Sequence, residues 1–460
     1  MQGVQPAFGN VLEMIGKTPM VELNNLDTGP CRLFVKLESQ NPGGSIKDRI
    51  ALYMVEAAER DGKIKTGGTF IEATAGNTGL GLALVASQKG YRLLLVIPDK
   101  MSQEKIFHLK ALGAQVLVTR SDVGKGHPEY YQDKAERLAK EIDNSCYVNQ
   151  FGNPANPLAH EETTGPEIWE QMDHALDTMV CGVGSGGTIT GLSRFFGRVA
   201  PGVEMVLADP LGSVLAHYVE TGKVATEVGS WLVEGIGEDF IPPICDLSRV
   251  KKAYTIADAE SFSVCREVLR KEGILAGTSS GTLIAAALRY CREQREPKRV
   301  VTLVCDSGNK YLSKVYNDYW MLDQGFIQRE TFGDLRDLIA RRHRDRATVT
   351  VGVDDTVLTA YSRMKLYDIS QLPVLEGEQI VGLIDEEDIL LEVFDNEAHF
   401  QEPVGKVMTR DLQTIPPTAK LESLLPIFDR GRVAIVKDGD EFLGIITRID
   451  LLNYLRRRMK

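Results

Sequence analysis

Residues 1 to about 320 alternate short apolar runs with longer stretches in which apolar residues recur at every third or fourth position. The short runs are rich in valine, isoleucine and leucine and predict buried strands. The longer stretches, such as residues 45–62 and 76–90, predict amphipathic helices. This alternation is typical of parallel sheets with helices on both faces. The predicted strands are RLFVKLE, GTFIEA, RLLLVIP, AQVLVT, TMVCGVG, EMVLADP and VVTLVCD.

Beyond about residue 330 the pattern changes to an internal repeat. Residues 372–391 align with residues 434–453 at a constant offset of 62, and the alignment pairs Gly377 with Gly439. Each copy predicts a strand, a helix, a hairpin and a second helix. One copy is too small to bury a sufficient core, so we expect the two copies to pack against each other.

The composition is that of a globular protein with two or three domains. The chain has 460 residues, of which 43% are hydrophobic and 25% are charged, so a sizeable core can form. The net charge of −11 argues against nucleic acid as a partner, because phosphate backbones are bound by concentrated lysine and arginine. No apolar run is long enough to span a membrane, and the N-terminal residues lack the pattern of a signal peptide.

The cysteines and histidines indicate neither disulfides nor a metal site. The seven cysteines are odd in number and form no C-x-x-C pair, which favours a reduced, cytoplasmic protein. The seven histidines are scattered, without H-E-x-x-H spacing or a cysteine partner at zinc spacing, so we expect no metal.

Four glycine-rich turns follow or lie close to predicted strands: NPGGSIKDR, EATAGNTGLGLA, GVGSGGTITG and GILAGTSSGT. Ligands of open α/β sheets bind at the carboxyl ends of strands, where such turns lie. The third turn is the best phosphate candidate, because consecutive glycines expose backbone N–H groups at a helix N-terminus. It is neither a Walker loop nor a G-x-G-x-x-G fingerprint. The spacing alone leaves open whether Lys47, in the first turn, grips phosphate, is a reactive amine or lies on the surface.

In this order, the four turns resemble those of the pyridoxal-phosphate β-family, and residues 8–323 resemble the cystathionine β-synthase family. The repeat resembles the paired adenosyl-sensing modules, the CBS domains, that are named after that family. The resemblance implies an α/β catalytic domain of fold type II, with two open, twisted, mostly parallel sheets and helices on both faces, followed by an α+β tandem CBS module. The implied boundaries are 1–325 for the catalytic domain, 326–336 for a linker, and 337–395 and 400–460 for the repeats.

The same resemblance implies pyridoxal 5′-phosphate as the cofactor, with Lys47 as the amine that holds it as a Schiff base. Lysine suits this role because a neutral amine condenses with an aldehyde and can later act as a base. Asn77 would contact the ring hydroxyl and Ser279 the pyridine nitrogen. A serine hydroxyl makes the ring a weaker electron sink than a carboxylate would, which favours β-elimination and replacement. The phosphate would be held by Gly184, Ser185, Gly186, Gly187 and Thr188.

The implied reaction condenses L-serine with L-homocysteine to L-cystathionine and water, a step of transsulfuration, with hydrogen sulfide release from cysteine as a side reaction. Ala75 replaces the serine usual in its turn, and Glu238 stands where several relatives carry tyrosine. Glu238 either meets the amino group of homocysteine or faces solvent. The residues implied in substrate binding are Thr74, Ala75, Gly76, Asn77, Thr78, Gln150, Gly235 and Glu238.

In the second repeat, the resemblance implies that Thr447 and Asp450 bind an adenosyl ligand such as S-adenosylmethionine. The first repeat has Asp385 where a hydroxyl residue is usual, and its charge would repel a phosphate. A purely structural, dimerising role for the repeats stays open. The resemblance also implies a homodimer or larger homo-oligomer, and we expect no haem, because the chain begins just before the catalytic pattern.

Two other functions fit the same turns. A cysteine synthase, that is, an O-acetylserine sulfhydrylase, shares all four of them. A catalytically inactive sensor of an adenosyl ligand would keep the fold without the chemistry. The presence of the repeats and of VEGIGEDFIP favours cystathionine synthesis.

Overall fold

The computed structural model describes residues 7–74, 76–99, 103–124 and 126–458. The chain divides into two compact units, Met1–Tyr316 and Asn317–Lys460. No helix in the described ranges has the length and apolar character needed to cross a membrane.

The first unit contains ten strands and ten α-helices in the described residues. The strands are β1 Met20–Glu22, β2 Arg32–Lys36, β3 Thr69–Glu72, β4 Arg92–Pro98, β5 Gln115–Thr119, β6 Ser145–Tyr147, β7 Thr178–Gly182, β8 Glu204–Pro210, β9 Val250–Ile256 and β10 Arg299–Leu303. The helices are α1 Lys47–Arg60, α2 Asn77–Lys89, α3 Gln103–Ala111, α4 Tyr131–Glu141, α5 Ala155–Ala159, α6 Gly165–Gln171, α7 Gly187–Val199, α8 Leu215–Thr221, α9 Asp258–Glu272 and α10 Thr278–Arg292.

These strands form two sheets, as the alternating pattern predicts. The larger sheet has the order β1-β2-β10-β7-β8-β9, and the smaller has the order β5-β4-β3-β6. Every pairing is parallel except that of β1 with β2. Apolar side chains of β7 and β8 are buried, because helices cover both faces. The fold type II architecture is confirmed.

All seven predicted strands form, but the sequence pattern misses three others. β6 has only three residues, and β1 is equally short. In β9, Lys251 and Lys252 interrupt the apolar run. β9 is an edge strand, so these lysines can reach solvent without disturbing the core.

Helix α1 is anchored by a buried cluster of two cations and two carboxylates. Arg49 donates from Nε and Nη2 to the two carboxylate oxygens of Glu38, at 2.7 and 2.8 Å. Arg49 also donates two hydrogen bonds of 2.7 Å to Glu167, which accepts a third from Lys36 Nζ at 2.7 Å. Burial alone would raise the pKa of Glu167, but the bonds and charges of Arg49 and Lys36 lower it to about 2. The cluster therefore fixes the helix that begins at Lys47.

The second unit contains the predicted repeat. Its first sheet is built from β11 Val351–Gly352, β12 Gln371–Glu376 and β13 Gln379–Asp385, and its second from β14 Thr414–Ile415, β15 Ala434–Asp438 and β16 Glu441–Ile446. The helices are α11 Asp318–Asp323, α12 Val357–Tyr367, α13 Glu386–Val393, α14 Val404–Val407, α15 Leu425–Asp429 and α16 Arg448–Arg458. Gly377 and Gly439 turn the two hairpins with φ of +62° and +58°, which glycine adopts without strain.

The two copies pack against each other, as expected from their size. Each copy has a small core, and a shared cluster joins them through the hairpins. The shared cluster consists of Ile380, Leu383, Ile435 and Phe442.

Candidate active site

A cavity of about 260 Å³ lies in the first unit where β3, β7 and β10 end and α1, α2, α7 and α10 begin. Ala75 lies outside the described residues. Every other residue that the sequence implicates in cofactor or substrate binding in this unit lines the cavity. These residues are Lys47, Thr74, Gly76, Asn77, Thr78, Gln150, Gly184, Ser185, Gly186, Gly187, Thr188, Gly235, Glu238 and Ser279.

Lys47 is the first residue of α1, and its backbone N–H donates to Ser45 Oγ at 3.2 Å. Burial lowers the pKa of Lys47, and the nearby acidic groups of Cys305 and Asp306 partly oppose this effect. A lowered pKa increases the fraction of neutral amine, the form that attacks a carbonyl carbon and accepts a proton. The environment of Lys47 therefore suits a reactive amine.

The loop 184–188 forms a cradle that has room only for backbone at its three glycines. A Cβ atom on Gly184 would lie 2.5 Å from the carbonyl oxygen of Gly235, and one on Gly187 would overlap the side-chain amide of Asn156. The absence of side chains here lets the backbone N–H groups at the start of α7 approach a ligand closely. The need for glycine is thus set by the neighbouring residues as well as by the turn.

Two hydroxyl groups complete the cradle. Ser185 Oγ accepts a hydrogen bond of 2.9 Å from Asn156 Nδ2, and Thr188 Oγ1 lies 3.2 Å from His160 Nε2. Burial lowers the pKa of His160 to about 3, so its ring is neutral at physiological pH and adds no positive charge to the cradle. Backbone N–H groups, two hydroxyls and a helix N-terminus fit a phosphate group.

Residues 76–78 lie at the start of helix α2, which also borders the cavity. Thr78 Oγ1 donates to Gln150 Oε1 at 2.6 Å, and both side chains are buried. Asn156 Nδ2, which also holds Ser185, donates to the backbone oxygen of Gln150 at 2.8 Å. This arrangement places backbone donors at a helix N-terminus beside a fixed amide side chain, which fits a substrate carboxylate.

Ser279 and Cys305 lie close to Lys47 on the wall formed by β10 and α10. Ser279 is 4% exposed, and its neighbour Ser280 accepts a hydrogen bond of 2.9 Å from the backbone N–H of Cys305. Burial raises the pKa of the Cys305 thiol to about 12, with Lys47 opposing the shift. The sulfur therefore stays protonated at neutral pH.

Asn77 has two charged partners that the sequence does not assign to the site. Its Nδ2 donates to Asp306 Oδ2 at 2.8 Å, and its Oδ1 accepts from Lys310 Nζ at 2.6 Å. Asp306 follows β10, and a polar residue at the carboxyl end of a strand is a signal from which a place in the site could have been predicted. Lys310 gives no comparable signal, because it becomes adjacent to Asn77 only through the fold.

Glu238 lies in the cavity wall rather than in bulk solvent. Its backbone is held on both sides by Ser213 Oγ, which accepts from its N–H and donates to its carbonyl oxygen, each at 3.1 Å. Burial raises the pKa of Glu238 to about 8, with contributions from Asp239 and Asp209. The carboxyl group thus changes charge near physiological pH.

A separate cavity of about 650 Å³ in the second unit is lined by Thr447 and Asp450. The Asp450 carboxylate accepts from the backbone N–H and the hydroxyl of Thr447, at 2.7 and 2.5 Å. In the first repeat, Asp385 caps α13 by accepting from the N–H of Asp388 at 2.9 Å. The aspartate at position 385 therefore has a structural role in starting that helix.

The matches to known families follow the two units. Residues 11–306 match the family described as pyridoxal-phosphate dependent enzyme, and residues 337–395 and 404–457 match the CBS domain. Cystathionine beta-synthase of Dictyostelium discoideum is 38% identical over 464 residues, covering 97% of this chain and 92% of the relative. The chain belongs to the cystathionine β-synthase family. The enzyme of that name from Saccharomyces cerevisiae is 34% identical and covers 97% of both chains.

Other similarities to this member of the cystathionine β-synthase family cover less of it. Cysteine synthase 1 of Neurospora crassa is 42% identical but covers 68% of this chain and 84% of the relative. The crystal structure of O-ureido-L-serine synthase is 32% identical, with a TM-score of 0.63, and covers 69% of this chain and 100% of that chain.

The cofactor implied by the cystathionine β-synthase family is pyridoxal phosphate, and the cavity fits it. The glycine cradle would collide with any side chain, yet its donor set matches a phosphate. A lysine with a lowered pKa lines the same cavity, as a bound aldehyde requires. The described residues contain no group of three or more histidine, cysteine or acidic side chains arranged to hold a metal ion.

Proposed function

We propose that this protein condenses L-serine with L-homocysteine to L-cystathionine and water, by a β-replacement that depends on pyridoxal phosphate. The observation that carries the proposal is the similarity to cystathionine β-synthases along 97% of the chain, through both units. Cysteine synthases match 68% to 70% of the chain. The catalytic cavity alone would fit either reaction, so the extent of the similarity favours cystathionine synthesis.

The cofactor would be held by Lys47, Asn77, the loop 184–188 and Ser279, and its ring supplies an electron sink for charge that develops at Cα of the substrate. The neutral Lys47 Nζ takes the proton from Cα of serine. The hydroxyl takes up a proton and leaves as water, and the homocysteine thiol gives up its proton when its sulfur bonds to Cβ, so the two protons balance. Lys47 then returns a proton to Cα. One amine thus serves as base and then as acid.

The substrate carboxylate would be held by Thr74, Gly76 and Thr78 together with Gln150. The fixed Thr78–Gln150 pair, with a separation of 2.6 Å, supports this role because neither side chain must be ordered when the substrate binds. Asn77 would contribute to the same site, and Ala75 and Gly235 are proposed substrate contacts through their backbones.

The test is the turnover of the purified protein after reconstitution with pyridoxal phosphate. Serine with homocysteine should yield cystathionine, identified by mass spectrometry, at a higher kcat/KM than O-acetylserine with sulfide yields cysteine. The reverse order would make the protein a cysteine synthase. The absence of both products, with normal cofactor binding, would favour an inactive sensor.

We also propose that cysteine can replace serine as the first substrate, in which case hydrogen sulfide leaves in place of water. A hydrogen sulfide-producing enzyme from Fusobacterium nucleatum is 38% identical, with a TM-score of 0.62, and covers 66% of this chain and 100% of that chain.

Each of the seven cysteines is a free thiol, which supports a cytoplasmic location. A homodimer or larger homo-oligomer is proposed as the working form.

Glu238 is proposed to receive the ammonium group of homocysteine. Because burial raises its pKa to about 8, the carboxyl group is neutral below that pH and negative above it. The KM for homocysteine should therefore fall about ten-fold as the pH rises through 8. Steady-state kinetics from pH 7 to about 9 measure this fall.

The dependence on pH should disappear in Glu238→Gln. It should persist in Asp239→Asn, which removes the adjacent exposed carboxylate, but at a lower pH because Asp239 contributes to the raised pKa of Glu238. Equal pH profiles for homocysteine KM in the wild type and Glu238→Gln would contradict the role. The ionisation of the substrate thiol is common to all three proteins and cancels in the comparison.

A second proposed function is the binding of an adenosyl ligand, such as S-adenosylmethionine, in the cavity lined by Thr447 and Asp450. The cavity of about 650 Å³ is large enough for a nucleoside, and Asp450 could accept hydrogen bonds from ribose hydroxyls. Arg341, Arg432 and Arg448 line the same cavity and would attract a phosphate.

Calorimetry with the full chain tests this site, with S-adenosylmethionine and adenosine monophosphate as probes. Asp450→Asn should weaken binding at least about ten-fold, because a hydrogen bond to a charged group contributes about 1.5–3 kcal/mol. Asp388→Asn, the equivalent change in the first repeat, is the control and should leave affinity within about two-fold. If neither probe releases heat with the wild type, the repeats have only a structural role.

A further inference from the structure

The side-chain amide of Asn77 is held at both ends by groups of opposite charge. Lys310 Nζ lies 2.6 Å from Oδ1, and Asp306 Oδ2 lies 2.8 Å from Nδ2. An ammonium group can only donate and an ionised carboxylate can only accept, so the two partners determine which end of the amide is oxygen. The reversed amide would place two donors together at one end and two acceptors together at the other.

The other contacts of Asp306 and Lys310 support these charge states. Asp306 is 1% exposed, and its Oδ2 accepts a second hydrogen bond from Tyr311 Oη at 2.7 Å. Lys310 Nζ also faces the carbonyl oxygens of Gly43 and Gly44, at 3.4 and 3.3 Å. Three acceptors match the three hydrogens of an ammonium group, whereas Asp306 Oδ1 is buried without a partner among the described residues. Burial raises the pKa of Asp306 and lowers that of Lys310, and the charge of each residue opposes the shift of the other.

The fixed orientation decides what Asn77 can offer to a ligand. Its Oδ1 is engaged by Lys310, and one of its two Nδ2 hydrogens is engaged by Asp306. The second Nδ2 hydrogen is therefore the group that Asn77, which lines the cavity, can offer there. The cation on Oδ1 polarises the amide, so its N–H group forms a stronger hydrogen bond with an anionic oxygen than with a neutral oxygen.

We propose that Lys310 and Asp306 are positioning residues that act through Asn77, fixing its amide as a donor to an anionic ring oxygen of the bound cofactor. The inference rests on the proposed function of Asn77 as a cofactor contact. Neither Lys310 nor Asp306 lines the cavity in which the cofactor would be held. Lys310 also donates hydrogen bonds to the carbonyl oxygens of Gly43 and Gly44, in the turn that precedes Lys47. A test must therefore separate a structural role through this turn from the role through Asn77.

A double-mutant cycle on the full chain separates the two roles, with the dissociation constant of pyridoxal phosphate as the readout. Lys310→Met should weaken cofactor binding about ten-fold in the wild type. In an Asn77→Ala background the same change should cost less than about two-fold, because the residue through which it acts is gone. Equal losses in both backgrounds would overturn the proposal and assign Lys310 a structural role.

The absorption spectrum of the bound cofactor gives an independent readout. Loss of the Lys310 charge should favour the neutral ring oxygen, which shifts absorbance from the visible band to the near-ultraviolet band. Lys314→Met is the matched control, since Lys314 lies in the same segment but pairs with Glu234, and its spectrum should equal that of the wild type. A Lys310→Met spectrum identical to the wild type would count against the proposal.

Lys310→Gln keeps the proposal testable if Lys310→Met fails to fold. Glutamine can still donate to Asn77 Oδ1 without the charge, so the orientation is kept and the polarisation is lost. It should show the spectral shift with less than about a three-fold loss of affinity. A wild-type protein that binds no pyridoxal phosphate would refute the proposed function, whereas normal binding with unaffected Lys310 variants would refute only this inference.

Discussion

Replacing Lys47 with alanine is expected to lower the rate of cystathionine formation at least ~10³-fold. The reason is that the same Nζ atom is proposed to hold the cofactor and to move the Cα proton, so one deletion removes both functions. Borohydride reduction followed by peptide mass spectrometry should attach the cofactor to the wild-type peptide and leave the Lys47→Ala peptide unmodified. Both measurements use the reconstituted protein.

Lys65→Ala is the control for the Lys47 experiment, because Lys65 is an exposed lysine of the same unit. It should retain the wild-type rate and the wild-type label. More than a tenth of the wild-type rate in Lys47→Ala, or cofactor attached to a different lysine, would contradict the assignment. Thermal unfolding of each variant shows whether a lost rate reflects lost structure.

Replacing Arg49 with methionine is expected to lower the free energy of unfolding of the first unit by about 3–5 kcal/mol. Glu38 is fully buried, and both of its carboxylate oxygens accept from Arg49. Removal of the cation leaves an uncompensated charge, which costs more than the pair itself contributes. Urea unfolding followed by tryptophan fluorescence in a Trp320→Phe background confines the signal to Trp169 and Trp231 of this unit.

Arg32→Met provides the contrast, because Arg32 pairs with Glu22 at the surface and its side chain is 59% exposed. Its loss should cost less than about 1 kcal/mol. The double variant Glu38→Gln/Arg49→Met should recover part of the stability lost in Arg49→Met. Equal costs for the two arginines would contradict the importance of burial.

The same cluster predicts how the stability of the wild type depends on pH. The pKa of Glu167 in the folded protein is about 2, and that of Glu38 is also lowered, so both carboxylates lose their protons more readily in the folded state. Their contribution is therefore present above the ordinary carboxylate pKa and is lost as the pH falls toward about 2. Arg49→Met should flatten this acid limb.

The sequence predicts the catalytic residues better than it predicts the residues that position them. Lys47 and the glycines of the loop 184–188 can be predicted because each lies in a local motif whose chemistry requires that residue type. Lys310 cannot be predicted in this way, because its contact with Asn77 joins segments 233 positions apart and depends on the packing of two sheets. A lysine in an isolated sequence is most simply explained as a surface residue.

The same distinction holds for the fold. Long apolar runs such as β4 and the central part of β8 can be predicted from the sequence, because burial on both faces favours apolar residues. The short strands β1 and β6 are stabilised by their neighbours in the sheet rather than by their own composition. The buried charges of Arg49 and Glu38 contradict any pattern based on hydrophobicity, since only their mutual contact makes burial tolerable.

The protonated state of Cys305 has a consequence for the lifetime of the enzyme. The proposed reaction requires a foreign thiol to add to an activated carbon in the cavity that Cys305 lines. With a pKa of about 12, the resident sulfur carries almost no thiolate at neutral pH and cannot compete for that carbon. The raised pKa of Cys305 therefore disfavours alkylation of this residue during turnover.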